Sequence, residues 1–199
     1  MKTALFVFFI LSMAGCAHTE KQVTPKSPAD EKLEQGVQIL QDVDATDKGA
    51  ALVAFVEACN LGNNNACHKV GTAYSKGLYS VSRDYTKARQ WYLKAAMRGY
   101  APSQQNIANL YAYRLLDESN DVEGYKWLLL AEKTVATCLP GTIEAQSNTL
   151  AAERRRLCQL ASAGQGRLRS IFRKRMSSEQ MQQSERLARQ WSAKHSYQE

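Results

Sequence analysis

The sequence predicts an all-α fold: a short right-handed solenoid of antiparallel helix pairs, closed by a C-terminal capping helix. Three observations carry that prediction. Residues 84–99, DYTKARQWYLKAAMRG, form a helical motif that recurs on both sides of itself. At an offset of 37, Asp84, Ala88, Trp91, Tyr92, Ala95 and Gly99 fall on Asp47, Ala51, Ala54, Phe55, Ala58 and Gly62. At an offset of 36, Trp91, Leu93 and Ala95 fall on Trp127, Leu129 and Ala131. A helical motif with this period means that each unit buries its apolar face on the next. Such an array is a binding surface before it is a catalytic pocket.

In the first unit, Leu33, Gly36, Val37 and Leu40 make an i, i+3, i+4, i+7 stripe for one helix, and Ala51 to Cys59 supply the second. ACHKVGTAYSKG is the first helix of the second unit: Gly71 allows close packing, Tyr74 enters the core and Gly77 ends the helix. In its partner, small Ala88 and Ala95 let two backbones approach, while Trp91 fills the space between neighbouring hairpins and Tyr92 accompanies it. Gly62 and Gly99 follow helix ends, where a left-handed cap suits glycine. The third unit begins with a helix carrying Ile107, Leu110 and Tyr111, with Arg114 as a further candidate, and continues with Trp127 and Ala131 in the Trp91 and Ala95 roles. It lacks a glycine after its tyrosine, so its loop is expected to differ. Gly124 replaces an alanine, which weakens the helix by about 1 kcal/mol. Glu118, Asp121 and Glu123 cluster at a helix start, where carboxylates favour the dipole.

The succession G-x-x-Y-x-x-G, Asp, then A-x-x-W-Y-x-x-A-A-x-x-G resembles the Sel-1-like repeat, a relative of the tetratricopeptide repeat. The resemblance covers residues 30–134 and is most specific in the second unit. It implies a curved stack of helices whose groove holds another protein. The outer units depart from the pattern, as terminal repeats often do because one face meets solvent.

At the amino terminus, Lys2 precedes an apolar run from Ala4 to Met13 that is too short for an ordinary membrane span. Residues 1–15 read as a signal peptide. Met13-Ala14-Gly15-Cys16 resembles a bacterial lipobox, with methionine where leucine is usual, which implies lipidation of Cys16; the alternative is ordinary secretory cleavage with a free thiol. Ala17 follows in place of the aspartate that commonly retains lipoproteins in the inner membrane, so the expected location is the outer membrane, facing the periplasm. Multiple acyl chains make such an anchor stable. Residues 16–29, with Pro25 and Pro28 and no apolar periodicity, read as a flexible tether.

Beyond Cys16, the cysteines are Cys59, Cys67, Cys138 and Cys158, an even number that allows three disulfide connectivities in an exported chain. Cys59 ends one helix and Cys67 starts the next across a short turn, which makes a bridge between them sterically natural. The same spacing resembles the cysteine-rich branch of the Sel-1-like family. By elimination Cys138 pairs with Cys158. Buried reduced thiols are the alternative.

The formal charge of +7 is concentrated in the last quarter, where residues 151–199 hold 11 basic and 4 acidic side chains. Residues 135–199 form a basic helical cap region in which Arg167, Arg169, Arg173, Lys174 and Arg175 are candidate binding residues. In a periplasmic setting the compatible anions are peptidoglycan, lipopolysaccharide or acidic protein surfaces, and no nucleic acid is expected. The competing reading is that these cations, with Arg154, Arg155 and Arg156, are the solvated face of amphipathic helices bearing Leu157, Leu160, Leu168, Ile171 and Phe172. The last helix starts at a serine followed by Glu179 and Gln180, and turns Met181, Leu187, Ala188 and Trp191 inward.

Chemistry is thin. His18, His68 and His195 lack metal-ligand spacing and read as solvated side chains. G-x-S-x-G, P-loop, H-E-x-x-H and S-x-x-K motifs are all absent. No catalytic residue, metal or cofactor is expected. The sequence therefore reads as a lipid-anchored adaptor for an envelope protein, with Tyr79, Tyr100 and Tyr113 as candidate contacts near loops. The alternatives are an envelope hydrolase of the beta-lactam or peptidoglycan-binding type, and glycan binding by the basic tail.

Overall fold

The computed structural model describes residues 26–42, 48–118, 120–137 and 164–195. Cys16, Cys138, Cys158, the signal segment, Arg154–Arg156, Leu157 and Leu160 lie outside them. Among the described residues the regular structure is helical throughout.

Five of the eight described helices begin where a local side chain satisfies one of the first N–H groups. Helix α1 (Pro28–Gln41) is capped by Ser27, whose Oγ accepts from the Asp30 N–H, and has proline in its first turn. Helix α2 (Gly49–Asn60) leads through a tight turn to α3 (Asn64–Lys76), where Asn63 accepts from Ala66 N–H at 2.9 Å. Asp84 performs the same role for α4 (Tyr85–Ala96), accepting from Lys87 N–H at 2.8 Å. Helix α5 (Ala101–Ala112) enters with Pro102, and Asn120 caps α6 (Asp121–Thr137) through Glu123 N–H. Beyond these lie α7 (Gln165–Arg175) and α8 (Ser178–Lys194). The latter opens with a reciprocal capping box between Ser177 and Gln180.

The chain stacks as the pairs α1/α2, α3/α4 and α5/α6, joined through the α2–α3 and α4–α5 seams. Helix α8 lies along α6, and α7 packs on both α5 and α6. Ala88, Ala95 and Ala131 are completely buried, and Tyr92 and Trp127 nearly so. Trp91 and Tyr74 are half-buried and act as joints: Trp91 touches both the first-pair core and the α2–α3 seam, while Tyr74 touches the cores on either side of it.

Close approach within the first two pairs is set by an aromatic over a glycine. A Cβ on Gly71 would sit 2.5 Å from the Tyr92 ring, and one on Gly36 would sit 2.5 Å from the Phe55 ring. The third unit solves the same problem with Ala108 and Leu128, both fully buried. Gly62 and Gly99 adopt positive φ as expected of helix caps. Thirty-seven residues beyond Gly77, the same left-handed position is held by Arg114, at φ 55°. Arg114 therefore lies outside α5 rather than continuing it. Its backbone follows the glycine pattern, with Leu115 N–H on Leu110 C=O just as Leu78 N–H meets Ala73 C=O.

Gly124 has a role beyond weakening a helix. A Cβ there would lie 2.5 Å from Tyr111 Cβ and 2.8 Å from Phe172 Cζ, so the missing methyl is the space that α7 occupies. Phe172 and Leu168 are fully buried in that seat, each side chain contributing about 1.5–3 kcal/mol.

Candidate functional site

Residues of α3 and α5 together line a polar groove of about 400 Å³. His68, Thr72, Ser75 and Lys76 present one face of α3, as their i, i+4, i+7, i+8 spacing requires. Asn106, Asn109 and Leu110 face them from α5, while Tyr85, Tyr92 and Leu115 complete the lining.

The α3 wall is held by its own hydrogen bonds. Thr72 Oγ1 donates to His68 C=O at 3.0 Å and Ser75 Oγ donates to Thr72 C=O at 3.1 Å. Both hydroxyls also lie 3.2 Å from the phenol oxygen of Tyr92, the residue seated over Gly71. On the α5 wall, Asn109 Nδ2 donates to Asn106 Oδ1 at 3.4 Å. The groove floor is thus anchored to the repeat core.

His68 is not a solvated side chain. Its Nδ1 lies 3.0 Å from Oγ of the fully buried Ser103, and its ring packs against Tyr92 and Tyr100 at centroid distances of 5.4 and 5.5 Å. Burial, reinforced by the Lys69 and Lys76 ammonium groups, lowers its pKa to about 4, so it enters the groove as a neutral imidazole. His195 is likewise engaged, stacked on Trp191 at 4.4 Å. A polar stripe at helical spacing, HxxxTxxSK alongside Gly71, is the sequence signal for this groove. The Asn106 and Asn109 pair carried a weaker one.

Cys59 and Cys67 are joined by a disulfide, with Cα atoms 4.7 Å apart and both residues buried. Arg98 reaches back over this seam to Gly62 C=O at 3.5 Å and Asn64 Oδ1 at 3.4 Å.

The structure divides the basic tail. Arg169 pairs with Glu132 and donates to Tyr125 Oη, and Arg175 donates to Asp121 Oδ1 and Ala112 C=O at 2.8 and 2.9 Å. Asp121 also holds Arg114 at 2.8 Å. These two tail arginines tie α7 to the array, whereas Arg167, Arg173 and Lys174 are exposed. Of the loop aromatics, Tyr79 packs on Phe55 at 6.2 Å and Tyr100 on His68, which leaves Tyr113 as the exposed one. Among the described residues no group of three or more His, Cys, Asp or Glu is placed to hold a metal, and no helix is long and apolar enough to cross a membrane.

The Sel1 repeat family matches residues 64–100 and 101–133. A 51-residue stretch is 43% identical to the ERAD-associated E3 ubiquitin-protein ligase component HRD3A of Arabidopsis thaliana, covering 26% of this chain and 8% of that protein. Among solved structures, a protective antigen present in uropathogenic Escherichia coli strains, with an SLR fold, superposes with a TM-score of 0.60 at 21% identity. That match spans 84% of this chain and 30% of the other. A Sel1 repeat protein from Oxalobacter formigenes aligns at 15% identity and a TM-score of 0.49, over 84% of this chain and 70% of its own. This chain thus spans less than a tenth of the curated relative and under a third of the first solved structure. The family match, the antigen's superposition, the glycine–aromatic pairs and the disulfide agree: residues 64–133 of this chain are two Sel1 repeats, set in a solenoid that is helical among the described residues and has a bridged Cys59–Cys67 seam.

Proposed function

We propose that this protein is a lipid-anchored adaptor of the bacterial outer membrane, held through Cys16 and facing the periplasm, which binds an envelope protein in the α3–α5 groove. Sel1 repeats are typically protein–protein interaction scaffolds, and the groove is the observation that carries the reading. It is a polar groove whose α3 wall is tied to the core through Thr72, Ser75 and Tyr92, so a partner meets a preorganised surface on that side. The Met13–Cys16 motif supports the anchor, and the disulfide suits an oxidising compartment. The test is capture of the protein from cross-linked envelopes, with Cys16→Ser and Asn106→Ala/Asn109→Ala controls. A saturable set of envelope proteins, lost in the asparagine variant, supports the adaptor; a set unchanged by that variant places binding elsewhere.

A second reading is favoured by exposed Arg167, Arg173 and Lys174 on α7, a cationic face suited to anionic peptidoglycan or lipopolysaccharide. Salt-sensitive sedimentation with either polymer, abolished when these three become glutamine, is its test.

A further inference from the structure

The groove is asymmetric in charge. Lys76 is the charged side chain in its lining, at the C-terminal end of α3, and no carboxylate lines it. Lys69 stands on the same helix outside the groove lining, over the Phe55 ring of α2, so its charge reaches the groove only at a distance. At His68 burial favours the neutral form first, and the Lys69 and Lys76 ammonium groups add to it. The opposite wall is uncharged: Asn106 and Asn109 each carry a donor and an acceptor, the pattern that matches a peptide group. From His68 to Lys76 the α3 wall runs about 12 Å, the reach of about four residues of extended chain.

We propose that the groove selects an extended acidic segment of its protein partner, with the Asn106 and Asn109 carboxamides on the segment's backbone and the Lys76 ammonium on an Asp or Glu side chain. This rests on the groove being the binding face, and adds the chemical class of what it takes. Asparagine pairing to main chain is independent of sequence, so selectivity falls to Lys76. A basic segment is repelled by Lys76 and Lys69, and a neutral one leaves Lys76 without a counter-charge.

The experiment is selection from a random dodecapeptide library by the full-length protein in detergent, with sequencing of the bound pool. It is run in parallel with Lys76→Gln, with Asn106→Ala/Asn109→Ala, and with Arg173→Gln as a variant outside the groove. Circular dichroism melts confirm that each variant is folded. The expected result is enrichment of Asp and Glu in the bound pool. Enrichment falls about threefold in Lys76→Gln, as suits a partly exposed ion pair; it disappears in the double asparagine variant and is unchanged in Arg173→Gln. A bound pool that depends on the asparagines but shows no acidic preference, or one insensitive to Lys76→Gln, overturns the acidic class and leaves the groove reading standing. Enrichment indifferent to the asparagines, or none at all, overturns both.

Discussion

The side chain of Gln104 donates through Nε2 to the backbone carbonyl of Ala96 at 3.2 Å, at the two positions that lie 37 residues beyond Cys67 and Cys59. The same seam between successive helix pairs is therefore closed covalently once and by a buried hydrogen bond the next time. Gln104 Oε1 also accepts from Thr134 Oγ1 at 3.3 Å, which extends the junction to α6. Gln104→Ala removes this donor but leaves the Ala96 carbonyl with the Gly99 N–H at 3.0 Å, and is expected to cost about 0.5–1.5 kcal/mol in urea unfolding. Ala96→Cys with Gln104→Cys is expected to form a second bridge in oxidising medium, visible by peptide mapping. Reducing the native bridge costs about 2–3 kcal/mol in the chain-entropy account.

Gly71 and Tyr92 form a size-matched pair, and exchange of one member alone breaks the match. Gly71→Ala places a methyl 2.5 Å from the ring, so overpacking of about 1–3 kcal/mol opposes the gain of about 1 kcal/mol in helix propensity. Adding Tyr92→Leu recreates the alanine and leucine of the third unit. Thermal unfolding of both singles and the double should show positive coupling, less what is lost when Thr72 and Ser75 no longer meet the Tyr92 hydroxyl.

His68 gives the fold a pH dependence with a definite sign. Its pKa falls from 6.5 to about 4 on folding, so the unfolded chain binds more protons between those values. The stability due to neutral His68 is fully present above about pH 6.5 and is lost progressively as pH falls toward 4, by an amount on the order of 3 kcal/mol. Urea midpoints at pH 7 and pH 4.5 should differ more for the native chain than for His68→Asn.

Asp121 is the single carboxylate between Arg114 and Arg175. Asp121→Asn removes the charge that holds both, and Arg175 links α7 to the end of α5 through Ala112. Hydrogen exchange in α7 should accelerate at least several-fold while α3 and α4 keep their protection. If α3 and α4 accelerate equally, the capping helices and the repeats unfold as one unit.

Local information made much of this legible. Repeat spacing locates the alanine stripe, the Tyr92 and Phe55 positions and the close packing at Gly71, because those contacts lie within one period, but it does not say which aromatic covers which glycine. The turn between Cys59 and Cys67 is short enough to show the bridge. What escaped was set by distant chain. Gly124 looked like a poor helix residue because Phe172, which fills its missing methyl, lies on α7. Arg169 and Arg175 looked like part of a charge run because their acceptors, Glu132 and Asp121, sit on α6. Tyr79 looked like a loop contact, yet left-handed backbone at Tyr79 and Ser80 turns the chain so that its ring meets Phe55. His68 reads as solvated in the sequence because its burial depends on Ser103 and Tyr100 from the following unit.

The three tryptophans are not distributed alike along the array. Trp127 meets Trp191 edge-on at 5.8 Å where α8 closes the stack, whereas Trp91 lies between the first two pairs with the Lys94 ammonium 3.8 Å above its ring. The molecule therefore carries two optical reporters at separate addresses. Loss of the indole pair's near-ultraviolet dichroism marks departure of the cap, while a change in the lysine-shadowed emission of Trp91 marks opening of the seam beside the disulfide, so one unlabelled sample can reveal which end of the solenoid lets go first.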